Sequence, residues 1–120
     1  MRSVILISPN EKEVIKLYQQ WKEIGSNIYF DSKTFNLKIE GERIYISCFE
    51  NDKDYYEDNE LSEVKIDKPY FYVVDYSDRD VMNRFLSNSI FSEGSFLDND
   101  LGRIVSIDKL KKEGFLNFIQ

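Results

Sequence analysis

Two alternating segments separated by a tight turn constrain the fold most. In residues 34–39, Phe35, Leu37 and Ile39 alternate with Thr34, Asn36 and Lys38. That is the period of a strand with one wet face. In residues 42–49, Ile44, Ile46 and Cys48 fall on one face, and Tyr45, Ser47 and Phe49 on the other. Glu40-Gly41 lies between them, with a glycine where a two-residue hairpin needs one. Strands that follow one another this closely pair antiparallel.

Other elements arrange themselves around this hairpin. Residues 3–7 form an apolar run that reads as a buried strand, and Ser8-Pro9-Asn10-Glu11 predicts a helix start with a Ser-x-x-Glu capping box. Val14, Leu17, Tyr18, Trp21 and Ile24 recur at helical spacing, with Gly25 expected as a left-handed cap. Residues 28–30 are a short strand candidate. Pro69 opens a nearly continuous apolar strand over 70–76, the pattern of a central strand. Residues 77–80 begin a second helix with Val81, Met82, Phe85 and Leu86 as its buried stripe. Phe96-Leu97, Asp98-Asn99-Asp100-Leu101-Gly102 and residues 103–107 read as a hairpin with a Gly-containing turn. A short helix over 108–113 stops at Gly114, and Phe115, Leu116, Phe118 and Ile119 are expected to dock on the core. The expectation is an α/β chain of the α+β type in a single domain, 1–120. A mostly antiparallel sheet of about five to seven strands carries two main helices and a short C-terminal helix.

Charge is distributed unevenly. The chain has a formal net charge of −6. Residues 50–63 hold seven acids (Glu50, Asp52, Asp54, Glu57, Asp58, Glu60 and Glu63) against Lys53, so the excess lies wholly in that stretch. It reads as an acidic surface loop, and a structureless loop of such length is usually functional. With no basic excess, direct nucleic-acid binding is not expected. A basic protein partner is, with Asp52, Asp54, Tyr55, Tyr56, Glu57, Asp58 and Glu60 as the contacting residues. The acids would steer encounter and the tyrosines supply contact area.

Catalytic signatures are scarce. There is no histidine, which removes Ser-His and Cys-His pairs and His-ligated metals. The one cysteine, Cys48, falls on an apolar strand face, and a core role is expected. Nucleotide-binding glycine loops and the nucleophile elbow are absent. Asp52, Asp54 and Glu63 fit a calcium loop poorly, because Glu57 stands where that loop needs glycine. Asp75, Asp78 and Asp80 leave a Mg²⁺-dependent enzyme as a minor alternative. The expectation is therefore a non-enzyme with no cofactor, no metal and no membrane span. A cytoplasmic location is expected from the lone cysteine and from an N-terminus unlike a signal peptide.

The stretch Ser95-Phe96-Leu97-Asp98-Asn99-Asp100-Leu101-Gly102-Arg103-Ile104-Val105-Ser106-Ile107 resembles a hairpin found in bacterial immunity proteins, the small antidotes of polymorphic and contact-dependent toxins. The similarity runs from Gly94 to Gly114. It implies a non-catalytic inhibitor that binds and neutralises a cognate toxin domain, often a nuclease. The alternative is a general protein–protein interaction module with no toxin partner.

Overall fold

A computed structural model describes residues 1–31, 33–48, 56 and 59–119. The described residues form β1 (Arg2–Ser8), α1 (Glu13–Trp21), β2 (Ser26–Phe30), β3 (Thr34–Ile39), β4 (Glu42–Cys48) and β5 (Tyr70–Tyr76). They continue with α2 (Arg79–Asn88), β6 (Phe96–Asp98), β7 (Ile104–Ser106) and α3 (Ile107–Glu113). The strands build one seven-stranded sheet in the order β2-β3-β4-β5-β1-β6-β7. Every neighbouring pair is antiparallel. The expected α+β architecture, with two main helices and a short C-terminal one, is what the chain adopts.

The β3–β4 hairpin closes through Glu40 at φ 52° and Gly41 at φ 82°, the left-handed pair that a two-residue turn between twisted strands requires. Its inward residues Phe35, Leu37, Ile44 and Ile46 are buried, and its outward ones stay half-exposed or exposed. One sheet face carries the main core. Val4, Leu6, Tyr72, Val74 and Tyr76 join the hairpin residues there, beneath Val14, Leu17 and Trp21 of α1 and Val81, Met82, Phe85 and Leu86 of α2. Leu110 of α3 and the tail residues Phe115, Phe118 and Ile119 complete it, while Leu116 stays exposed.

Both main helices are short and owe their place to this burial. Asp78 caps α2 by accepting the Val81 N–H at 3.0 Å. The start of α1 differs from the capping-box expectation. The helix begins at Glu13, with Lys12 at its N-cap and no side-chain cap. Ser8 is instead buried at the end of β1, where its Oγ accepts the Asn10 N–H at 3.0 Å. Asn10 in turn accepts the Lys12 N–H. Four residues of turn therefore separate strand from helix. Glu13 is drawn inward, and its carboxylate accepts the Ser92 N–H at 2.9 Å and the Ser92 hydroxyl at 2.8 Å.

Gly25 is not a left-handed cap. It is needed for space: a Cβ there would lie 1.6 Å from Leu37 Cδ1. Ile24, expected on the buried face of α1, falls beyond the end of the helix and is exposed. Cys48 is half-buried against the main core rather than fully inside it. Trp21 packs on Phe85 and donates its indole N–H to Ser89 at 2.9 Å.

The opposite sheet face is covered only in part among the described residues. Ile5, Ile7 and Phe71 are buried there beneath Tyr56, with Leu61, Val64 and Ile66 packed over them. The segment linking β4 to β5 therefore reaches past its neighbour strand as far as β1 and β6. Toward β3 and β4 the same face shows Arg43, which is exposed, and Asn36, Lys38 and Tyr45, which are partly buried.

Candidate binding cleft

The β6–β7 hairpin is the scaffold of the cleft. Its strands are short, so its turn is stiffened by side chains. The Asn99 amide oxygen accepts the N–H groups of Leu101 at 2.9 Å and Arg103 at 3.2 Å, and its Nδ2 donates to the Phe118 carbonyl. Asp100 at φ 61° and Gly102 at φ 92° supply the left-handed residues of the turn. Arg103 lies over the Phe118 ring at 5.4 Å.

Asp98 ends β6 opposite Ile5 of β1 and Ile104 of β7. That register points its carboxyl to the second sheet face, where only 5% of the residue is exposed. Oδ1 accepts the Asp100 N–H at 2.8 Å, and Oδ2 accepts the Tyr56 hydroxyl at 2.6 Å. Burial pushes the Asp98 carboxyl above the usual carboxylate range. The hydrogen bonds from Tyr56 and Asp100 pull the other way, and the nearby charges of Asp100 and Glu60 add to the rise.

Residues 59–64 run alongside this hairpin. Together they enclose an open cleft of about 480 Å³, lined by Glu60, Glu63, Asp98 and Asp100 with Asn59, Ser62, Val64, Gly102 and Ile104. No lysine or arginine is among the described residues that line it. Four carboxyl-bearing residues thus line one concavity. Such a surface attracts cations and resists closing on itself.

Of the residues expected to contact a partner, Glu60 is exposed on the cleft wall. Tyr56 differs from expectation. It is 6% exposed, its ring stacks on Phe71 with centroids 5.4 Å apart, and its hydroxyl is spent on Asp98. Its ring belongs to the core of the second face and offers no contact area. Asp52, Asp54, Tyr55, Glu57 and Asp58 lie outside the described residues.

The sequence favours a hairpin turn for Asp98 and Asp100, with a cation-binding carboxylate cluster as the lesser alternative, and does not set them beside Glu60 and Glu63. The signal was present: Asp98 continues the outward set of β6 begun by Phe96, so a carboxyl falls at an apolar position. The carboxylates weighed for Mg²⁺ chemistry have separate tasks. Asp75 accepts the Ser3 hydroxyl on the sheet, Asp78 caps α2, and Asp80 is exposed in the first turn of that helix. Comparisons with protein-family models, curated proteins and solved structures give no match to this chain.

Proposed function

We propose that this protein is a binding protein of the immunity type, which inhibits a basic toxin domain by docking it on the acidic cleft. The observation that carries the reading is the cleft itself, with Glu60, Glu63, Asp98 and Asp100 around about 480 Å³ and no basic residue among the described residues that line it. Glu60 and Glu63 belong to the stretch of sequence that holds all of the excess negative charge. The hairpin that forms one wall is the segment that resembles immunity proteins.

Lysine and arginine side chains of a partner would replace water around these carboxylates, and long-range attraction would speed encounter. A toxin domain that acts on nucleic acid carries such cations where phosphates bind. Occupying them blocks substrate without any chemistry by the inhibitor.

Tagged protein retained on a column and exposed to host extract at low and at high salt tests the reading. One basic partner, held more tightly at low salt, is expected. Charge reversal of Glu60 and Glu63 should slow its association by about tenfold or more, since rim charges act chiefly on encounter. The quadruple reversal of Asp52, Asp54, Glu57 and Asp58 should add to this. A partner whose association rate ignores both changes places the interface elsewhere.

A further inference from the structure

The connection from α2 to β6, residues 89–95, is fixed by side chains of other elements. Gln20 of α1 holds Ile90 through both ends of its amide: Nε2 donates to the Ile90 carbonyl at 2.8 Å, and Oε1 accepts the Ile90 N–H at 2.7 Å. Trp21 donates to the Ser89 hydroxyl, and the Glu13 carboxylate accepts both the N–H and the hydroxyl of Ser92. Within the loop, the Ser95 hydroxyl donates to the Ser92 carbonyl at 2.6 Å. A loop ordered in this way in the free protein lowers the cost of ordering on binding. Between it and α3 lies a pocket of about 310 Å³, near the lower end of small-molecule sites. The pocket is apolar where Ile90, Phe91 and Ile107 line it, and Lys111 and Asp108 bring opposite charges to it. It shares no lining residue with the acidic cleft.

Lys111 gives the pocket its chemistry. Its Nζ donates to the Ser87 carbonyl at 3.0 Å and to the Ser89 carbonyl, and it stands 5.8 Å from the centre of the Phe91 ring. An ammonium carries three donors, and these two neutral carbonyls take two of them. Burial lowers the proton affinity of Lys111, as expected of a cation partly stripped of water. We propose that this pocket is a second binding site, for a small monocarboxylate with an apolar body, its carboxylate on Lys111 and its hydrocarbon against Phe91, Ile90 and Ile107. The carboxylate supplies the countercharge in a charge-assisted hydrogen bond. Asp108 limits the ligand to one such group. It stands three residues before Lys111, on the same side of α3, and lines the same pocket. A second anionic group on the ligand would meet its charge.

Titration of the free protein with 3-phenylpropanoate, followed through its backbone amide resonances by NMR, tests the site without any protein partner. Saturable shifts are expected at Ser92, Ile107 and Lys111, with Gly102 and Ile104 of the acidic cleft unmoved. The neutral 3-phenylpropanamide should bind at least about tenfold more weakly, the loss of one charged hydrogen bond. Phenylsuccinate, which adds a second carboxylate, should also bind more weakly than 3-phenylpropanoate. Lys111→Met should erase the preference for acid over amide, and Lys111→Arg should keep it. Equal affinity for acid and amide in the parent protein would overturn the proposal. So would the absence of saturable shifts at these three amides up to about 20 mM ligand, or a preference that survives Lys111→Met. Should Lys111→Met fail to fold, the comparison of acid with amide in the parent protein decides alone.

Discussion

Asp98 and Tyr56 concentrate more consequence than their neighbours. A hydroxyl donated to a carboxylate at 2.6 Å in a buried setting is a strong hydrogen bond. Removing the hydroxyl in Tyr56→Phe leaves the carboxyl with one donor fewer and should cost about 1–3 kcal/mol of stability in urea unfolding. Asp98 also leaves a mark on stability against pH. Its folded value is raised, so its charged form is the disfavoured one in the native state. Its contribution to stability is greatest when protonated and falls as pH rises from the unfolded carboxylate value through the raised one. Asp98→Asn should flatten that limb, measured as the difference in unfolding free energy between variant and parent across pH 4 to 8. Tyr72 shows the contrasting use of a buried phenol. Its hydroxyl donates to the Glu11 carbonyl at 2.7 Å and the Asn10 carbonyl at 3.0 Å, which pins the turn between β1 and α1.

Among the elements, α1 and its exit depend on space more than on propensity. Gly25→Ala would drive a methyl into Leu37, so about 1–3 kcal/mol of destabilisation is expected, read as a lower urea midpoint. Asp78→Ala removes the side-chain N-cap of α2 and should cost about 1 kcal/mol in the same assay. These two positions also show how far the sequence was legible. The start of α2 at residues 77–80 was readable because the signal is local, polar residues followed by an apolar stripe, and Asp78 takes the cap position within it. The role of Gly25 was not, because its neighbour Leu37 lies twelve residues on and meets it only through the pairing of β2 with β3. The β3–β4 hairpin was readable from period and turn residues together. The capping box at Ser8 misled because a buried strand end competes for that hydroxyl. The cleft was half-legible: its acids stood out on one wall, but the other wall comes from a hairpin some forty residues away.

Across the whole molecule, the two faces of one sheet divide the labour. The helical face holds Trp21 and most of the large buried aromatic residues, and truncation there, such as Leu17→Ala, should cost about 2–5 kcal/mol. Fluorescence of Trp21, the one tryptophan, reports that loss directly. The other face carries the acidic cleft at its β6–β7 end and the cations of Lys38 and Arg43 toward β3 and β4. Partner association through the acidic end should therefore weaken steeply with ionic strength, while unfolding of the free protein should respond much less.

The place of β1 in the strand order carries a further consequence. The first of these strands in chain order lies inside the sheet, bonded on one edge to β5 and on the other to β6. Neither partner exists until residues 70–76 and 96–98 have been synthesised. Until then its apolar run Val4-Ile5-Leu6-Ile7 has both edges open and both faces bare. The nascent chain must hold this apolar segment unpaired at least until residues 70–76 follow, and docking of β1 becomes the late step that seals the two halves of the sheet together.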